Sequence, residues 1–188
     1  SERPLRVLEM GLGTGLNALL TKQWAENQNL LPLYYHGLEA YPLTEEEVGG
    51  LTAAMPEPLK PQTIAFHQIH QQPWGQTADF DSGFRFHKEH NDVRDFYWNQ
   101  EGFHLIYYDA FAPNKQPDVW TEAVLEQMYQ LLKKGGMLTT YCAQGQFRRT
   151  LRNCGFTVYS LSGPNGKKEM TLATKGSLHH PLKQQLAQ

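Results

Sequence analysis

The 188-residue sequence has few features of secreted, membrane-spanning or strongly basic proteins. It contains only two cysteines, and its formal net charge is −2. No apolar run is long enough to cross a bilayer, and residues 1–4 lack the pattern of a signal peptide. We therefore expect a cytoplasmic protein without membrane contacts, in which Cys142 and Cys154 are reduced core residues. Contact with nucleic acid would depend on a local group of Lys and Arg residues.

A glycine-rich loop after the apolar residues 5–8 lacks what common phosphate-binding motifs require. Its glycines are Gly11, Gly13 and Gly15. A dinucleotide fingerprint needs a further glycine where Leu16 stands, and a P-loop needs Gly-Lys-Ser/Thr. Glu9 precedes the loop, and its carboxylate repels phosphate but attracts cations. The pattern favours S-adenosylmethionine, whose ammonium and sulfonium groups are positive; the alternative is a strand-to-helix turn without a ligand.

Strand and helix patterns alternate along the chain. Helices are predicted over 16–26, 44–55, 120–132 and 146–154, and strands over 5–8, 34–39, 84–90, 104–108, 137–142, 156–162 and 169–174. Residues 63–92 have a polar, strand-like pattern with a hairpin turn at 81–83. This order predicts an α/β fold with a mostly parallel sheet, helices on both faces and a C-terminal antiparallel hairpin. One domain over 1–176 and a mobile tail over 177–188 are expected.

Carboxylates stand at or after the ends of several predicted strands, where sheets of this kind bind ligands. Glu39 is placed to accept both ribose hydroxyls of an adenosine, or else it caps a surface turn. Asp92 and the N–H of Val93 are placed to contact adenine, or else Asp92 begins a helix. Asp109 is placed to hold an amine nucleophile or to accept its proton.

Several segments resemble one known family. Residues 109–121, DAFAPNKQPDVWT, resemble the D-G/A-F-A-P-x-K-x-P-x-x-W motif of the tRNA 5-methylaminomethyl-2-thiouridine methyltransferases, the MnmC-type domain. Residues 9–17, EMGLGTGLN, resemble the family's S-adenosylmethionine loop, and EAYPL at 39–43 its E-x-x-P-L segment. Residues 147–151 with 155–156, and residues 163–170, resemble its later motifs in the same order.

The resemblance implies a Rossmann-like class I methyltransferase fold with a seven-stranded sheet. It implies methyl transfer from S-adenosylmethionine to the amine of 5-aminomethyl(-2-thio)uridine at the tRNA wobble position, with the tRNA anticodon region as partner. Asp109 is the implied catalytic residue. The implied cofactor residues are Glu9, Gly11, Gly13, Gly15, Asn17, Glu39, Asp92, Val93 and Asp109. The implied substrate residues are Phe111, Pro113, Lys115, Trp120, Arg148, Arg149 and Lys168.

Some of these residues have a simpler interpretation. Phe111 and Trp120 either stack on an extruded base or belong to the core and its rim. Arg148, Arg149 and Arg152 lie in one predicted helix, where they contact either an anionic RNA stem or only solvent. A small-molecule N- or O-methyltransferase would use the same cofactor residues without these arginines. The sequence is also compatible with a non-enzymatic binding protein and, less well, with an NAD-dependent dehydrogenase.

Other expectations concern what the sequence does not contain. Members of the family begin with a further segment before the first strand, and we expect that segment to be missing here. The flavin-dependent domain fused to some relatives has no room in 188 residues, so no FAD is expected. His67 with His70, and His87 with His90, have H-x-x-H spacing, but predicted strands place each pair on opposite faces. No metal site is therefore expected, and the oligomeric state is left open.

Overall fold

The computed structural model of the protein describes residues 4–80, 83–162 and 169–177. Contacts divide the chain into two compact units, Ser1–Asp92 and Val93–Gln188. Strands alternate with helices in each unit. The single domain over 1–176 stays a prediction, and residues 178–188 of the expected tail lie outside the described residues.

The first unit contains four of the strands. Its elements are β1 (Leu5–Met10), α1 (Leu16–Asn27), β2 (Leu33–Glu39), α2 (Glu45–Ala53), a 3-10 helix (Glu57–Gln62), α3 (Thr63–Gln71), β3 (Thr77–Phe80) and β4 (Phe84–His90). The strand order is β3-β4-β2-β1, in which β1, β2 and β4 are parallel and β3 is antiparallel. The carboxyl ends of the three parallel strands therefore lie along one edge.

The second unit ends in the antiparallel hairpin that the sequence predicts. Its elements are β5 (Phe103–Tyr108), a 3-10 helix (Pro117–Trp120), α4 (Glu122–Leu131), β6 (Leu132–Thr140), α5 (Gly145–Asn153), β7 (Thr157–Ser162) and β8 (Glu169–Thr174). The strand order is β5-β6-β8-β7. β5 and β6 are parallel, whereas β8 is antiparallel to both β6 and β7. The loops after β5 and β6 consequently start at the same edge.

Helix α3 is the main departure from the predicted elements. The strand-like pattern over 63–92 is wrong for residues 63–71, which are helical, and right for the hairpin formed by β3 and β4. Ala65, Phe66 and Ile69 are buried along one side of α3 at helical spacing. The polar residues between them conceal this short apolar stripe in the sequence. His67 and His70 therefore lie on a helix, and the expectation that strands separate them is wrong.

Three smaller differences have local causes. Strand β3 brings the described residues to eight strands, one more than the resemblance implies. Helix α4 begins at Glu122 rather than at Trp120, because the hydroxyl of Thr121 accepts the Val124 N–H at 3.5 Å. Gly135 and Gly136 do not end that helix but lie in β6, where a Cβ on Gly136 would come within 2.8 Å of the Phe103 carbonyl oxygen.

Two expectations from composition can be compared with the described residues. Within residues 4–80, 83–162 and 169–177, no helix has both the length and the apolar character needed to cross a membrane. Cys154 is buried, as expected for a core residue, but Cys142 is only half-buried, and the reduced state of both stays a prediction. Burial raises the pKa of the Cys154 thiol, so this residue behaves as a core side chain.

Candidate functional site

The glycine loop, residues 11–15, joins β1 to α1. Its three glycines have positive φ angles of 86, 49 and 72°, which side chains with a Cβ rarely adopt. The N–H groups of Gly11 and Leu12 both donate to the Leu38 carbonyl, at 3.0 and 2.9 Å. These bonds hold the loop against the end of β2, while Gly13 stays exposed. The structure thus explains why glycine stands at each of these positions.

Glu9 is the buried anchor of the loop, with 1% of its surface exposed. One of its carboxylate oxygens accepts a hydrogen bond from the Asn17 amide at 2.8 Å. The other accepts a hydrogen bond from the Tyr35 hydroxyl at 2.7 Å. Glu9 and Asn17 therefore fasten the first turn of α1 to the sheet. Attraction of a cationic ligand by Glu9 stays a prediction.

Glu39 occupies the end of β2 and contacts the glycine loop directly. One carboxylate oxygen accepts the Gly13 N–H at 2.7 Å, and the other accepts the Tyr41 N–H at 2.9 Å. The Glu39 carbonyl accepts the Asn91 N–H at 3.1 Å, so the same residue also meets the segment after β4. A carboxylate oxygen has two acceptor sites, and each oxygen of Glu39 can still accept a hydroxyl.

A cavity of about 720 Å³, the larger cavity, opens beside Gly13 and Glu39. Residues of α2, α3 and β4 form its walls, among them Val48, His67, His70 and Lys88, together with Trp74 from the segment between α3 and β3. His67 and His70 line this same cavity, one turn apart on α3. Its volume lies within the range of about 300–1,000 Å³ that is typical of small-molecule sites.

Lys88 is a wall residue of this cavity that sequence reasoning missed. It is 3% exposed, its ammonium donates to the His70 carbonyl at 2.6 Å, and it lies 4.5 Å from the centre of the Trp74 ring. Burial lowers the pKa of Lys88 to about 8. Phe84, Phe86 and Lys88 are buried at every second position of β4. This alternation in the sequence could have predicted that Lys88 points inward.

Asp92 and Val93 follow β4 as predicted, but no helix begins there. Residues 93–95 form a turn, in which the Phe96 N–H approaches the Val93 carbonyl at 3.4 Å. Val93 is buried, and Asp92 is half-buried. The interpretation of Asp92 as a helix N-cap is therefore wrong, whereas contact of these residues with adenine stays a prediction.

Asp109 is the first residue after β5 and begins the Asp109 loop, residues 109–116. It is exposed and lines a cavity of about 290 Å³, the smaller cavity. Pro113 lines this cavity from the same loop, and Tyr141 and Cys142 line it from the segment after β6. The Lys115 N–H donates to the Ala112 carbonyl at 2.7 Å. The Lys115 side chain is exposed.

The two aromatic residues of the motif have different environments. Phe111 is 70% exposed. Trp120 is half-buried, and its ring packs edge-on against Tyr108 and Phe147, with centroids 5.1 and 5.0 Å away. Its indole N–H donates to the Phe111 carbonyl at 2.8 Å. Trp120 thus supports the loop and borders the smaller cavity, whereas Phe111 presents an open ring.

The basic residues also differ in how they are engaged. The guanidinium of Arg148 donates to Thr171, Glu169 and the Met170 carbonyl at 3.0, 3.0 and 3.1 Å, and so ties α5 to β8. Arg149 is exposed, and its guanidinium donates to the Gln146 side chain at 2.7 Å. Contact of either residue with a substrate stays a prediction, and Lys168 lies outside the described residues.

Comparison with known proteins identifies the family. Residues 81–176 match the family described as S-adenosyl-L-methionine-dependent methyltransferase. The chain belongs to this family. The match includes β4, the Asp109 loop and strands β5 to β8, and it makes S-adenosylmethionine the cofactor of this methyltransferase.

Curated relatives match this methyltransferase over most of its length. The tRNA 5-methylaminomethyl-2-thiouridine biosynthesis bifunctional protein MnmC of Leptospira borgpetersenii is 30% identical over 181 residues, covering 90% of this chain and 26% of the relative. The protein of the same name from Marinomonas sp. is 28% identical over 199 residues, covering 97% of this chain and 28% of the relative. The methyltransferase chain thus spans about a quarter of the length of these relatives.

A solved structure confirms the fold. The crystal structure of MnmC2 from Aquifex aeolicus matches this methyltransferase with a TM-score of 0.73 and 19% identity, covering 100% of this chain and 60% of that chain. A likeness at this identity shows the fold alone. The predicted class I methyltransferase fold, mostly parallel with an antiparallel C-terminal hairpin, is confirmed.

Proposed function

We propose that the protein transfers a methyl group from S-adenosylmethionine to the amine of 5-aminomethyl(-2-thio)uridine at the wobble position of tRNA, giving 5-methylaminomethyl(-2-thio)uridine. The observation that carries this proposal is the similarity, over 90% of the chain, to a protein named for the biosynthesis of that nucleoside. The motif over 109–121 supports it, because its carboxylate lines a cavity and the aromatic ring of Phe111, two residues further on, is exposed.

Residues of the first unit fit the cofactor. A phosphate-bearing cofactor would favour Lys or Arg beside it, and the segment 9–17 contains neither. Glu39 offers acceptors for ribose hydroxyls beside the larger cavity. We assign Gly11, Gly13 and Gly15 to the close approach of the backbone, and Glu9 with Asn17 to holding the loop. When bound, S-adenosylmethionine supplies a methyl group that its sulfonium makes electrophilic.

Asp109 acts on the acceptor amine. A primary amine attacks only when it is neutral, since protonation occupies its lone pair. The Asp109 carboxylate accepts a hydrogen bond from the amine or takes its proton, and thereby directs the lone pair toward the methyl carbon. The smaller cavity, with Pro113 on one side and Tyr141 on another, restricts where the aminomethyl group lies.

Among the implied substrate residues that the structure describes, Phe111, Lys115 and Arg149 are exposed and suited to contact with RNA. The open ring of Phe111 is suited to stacking on an unpaired base. Lys115 and Arg149 are exposed cations that would contact phosphates of the anticodon region. Arg148 serves mainly to hold α5 against β8.

The transfer itself needs neither flavin nor metal, because the new N–C bond forms as the methyl–sulfur bond breaks and S-adenosylhomocysteine leaves as a neutral thioether. S-adenosylmethionine is thus the only cofactor that the proposed reaction uses. We also propose a cytoplasmic location, which follows from the tRNA substrate.

The proposal is tested by incubating the protein with S-adenosylmethionine carrying a labelled methyl group and tRNA that contains 5-aminomethyluridine. Nucleoside digestion and mass analysis should find the label in 5-methylaminomethyluridine. A protein that binds S-adenosylmethionine by calorimetry but leaves this tRNA unlabelled would refute the proposed acceptor.

Charge reversal at Arg149 separates tRNA methylation from methylation of a small amine. Arg149→Glu should raise the KM for tRNA about threefold or more, an order expected for losing a surface phosphate contact, and leave cofactor affinity unchanged. Lys134→Glu is the matched control, since Lys134 is an exposed cation near the start of β6, at the end of the strand opposite to its carboxyl end. Unchanged kinetics with Arg149→Glu over a range of salt concentrations would favour a small-molecule acceptor.

A further inference from the structure

Three metal-ligand side chains meet outside both cavities, on strands β2 and β4. They are His36, His87 and Glu89. Each offers one ligand atom, and these three atoms lie within 4.8 Å of one another. His36 and His87 are direct partners in the parallel register of β2 and β4, with ring centroids 4.6 Å apart. His36 is 3% exposed, while His87 and Glu89 are half-buried, so the group can be reached from solvent on the β4 side.

Hydroxyl groups hold both imidazoles by the same ring nitrogen. The Tyr34 hydroxyl lies 3.1 Å from Nδ1 of His36, and the Thr77 hydroxyl lies 2.9 Å from Nδ1 of His87. A histidine whose Nδ1–H donates to such an oxygen presents the lone pair of Nε2, which is the usual arrangement around a protein-bound metal ion. Tyr34 and Thr77 therefore hold both rings in place. An ion bound at Nε2 of His36 would replace the proton that this nitrogen donates to Glu89, and Nδ1–H would then donate to the Tyr34 oxygen.

The carboxylate is held in a similar way. Nε2 of His36 lies 3.1 Å from one oxygen of Glu89, and the Asn91 amide donates to the other oxygen at 2.8 Å. Ligands at about 2.0–2.2 Å from a tetrahedral ion are separated from each other by about 3.4 Å. The spacing between His36 and Glu89 is already close to this value, and small rotations of the half-buried His87 and Glu89 would complete the set.

We propose that His36, His87 and Glu89 form an accessory binding site for a divalent transition-metal ion, with Zn²⁺ as the preferred ion. Two imidazoles and one carboxylate are a borderline donor set, which suits Zn²⁺ better than Mg²⁺ or Ca²⁺. Three protein ligands leave one tetrahedral position for water. The ion would join β2 to β4, the strands that lead to Glu39 and Asp92. This site is independent of the proposed methyl transfer, and neither H-x-x-H pair of the sequence supplies it.

The test titrates Zn²⁺ into the full chain, after chelator treatment and removal of any histidine tag, and follows binding by calorimetry. Co²⁺ is added in a parallel titration, because its visible absorption reports tetrahedral coordination. We expect one ion per chain. His87→Gln and Glu89→Gln should each lower the affinity about 100-fold or more, and Thr77→Val, which removes only the oxygen beside Nδ1, about 10-fold.

His90→Gln is the matched control, because His90 lies on the same strand but on the opposite face, with its ring 5.8 Å from Trp74. It should bind Zn²⁺ like the unchanged protein. Circular dichroism verifies that each variant is folded, and His36 is left intact because it is buried. Absence of binding at millimolar Zn²⁺ would overturn the proposal. Binding that survives in both His87→Gln and Glu89→Gln, or that is lost equally in His90→Gln, would also overturn it.

Discussion

The glycine loop and the Asp109 loop both follow a parallel strand, yet the carboxylates beside them differ in exposure to solvent. In the first, Glu9 and Glu39 accept hydrogen bonds at 2.7–2.9 Å from within the unit, and Glu9 is buried. In the second, Asp109 and Lys115 are exposed and the Phe111 ring is 70% open. The difference indicates that the glycine loop is pre-organised for one fixed ligand, whereas the Asp109 loop presents groups to a larger and more variable one.

The largest effect is expected at Asp109. Asp109→Ala should lower kcat about 100-fold or more under the proposed function, because the amine loses its acceptor. Cofactor affinity measured by calorimetry should stay unchanged. Asp118→Ala is the control, since Asp118 is an exposed carboxylate nearby in sequence whose ion pair with Arg94 has a distance of 3.7 Å. Near-normal turnover of Asp109→Ala would show that Asp109 takes no part in the chemistry. The functional difference between the two loops would then be lost.

At Glu39 a smaller effect is expected, on cofactor affinity rather than on kcat. Glu39→Ala should weaken S-adenosylmethionine binding about 10- to 100-fold, as expected when charged hydrogen bonds are lost. At saturating cofactor, kcat should recover. Glu46→Ala, on the exposed face of α2, should leave the dissociation constant unchanged. An unaltered dissociation constant in Glu39→Ala would show that the pre-organised end of β2 serves the fold only.

Changes at the two aromatic residues of the motif should separate tRNA binding from structural support of the Asp109 loop. Phe111→Ala should raise the KM for tRNA about tenfold, because stacking on one base contributes about 1–3 kcal/mol, and should leave Tm unchanged. Trp120→Phe should lower Tm by several degrees, since the indole N–H to the Phe111 carbonyl is lost. Equal effects of both changes on KM would contradict this division of roles.

The smallest effect is expected on the free energy of unfolding, from Lys88 in the wall of the larger cavity. The pKa of Lys88 is about 8 in the folded chain and about 10.5 when unfolded, so the unfolded chain binds more protons between these values. The contribution of Lys88 to the free energy of unfolding should therefore rise as the pH increases from about 8 to 10.5.

Denaturant titrations at several pH values test this contribution. Lys88→Met should remove that part of the rise, while Lys134→Met, at an exposed position of β6, should follow the unchanged protein. Parallel curves for Lys88→Met and the unchanged protein would contradict the assignment.

Local patterns predicted most of the fold, and the errors have identifiable causes. The apolar run before the glycines, the helical pattern over 44–55 and the hairpin at the C-terminus all depend on residues close in the chain, and the structure has each of these elements. Helix α3 was missed because its buried stripe contains only Ala65, Phe66 and Ile69 among polar residues. A window of nine residues carries too little periodicity to separate helix from strand in such a case.

The sequence by itself determined the glycine loop, the carboxylates at the strand ends and the motif over 109–121, because their chemistry depends on residues that are close in the chain. Only the tertiary structure decided which side chains meet across strands. It places His36 against Glu89, 53 positions away, and turns Arg148 onto β8 while Arg149 stays exposed. Strand register and helix orientation set these contacts, and both depend on packing between distant segments.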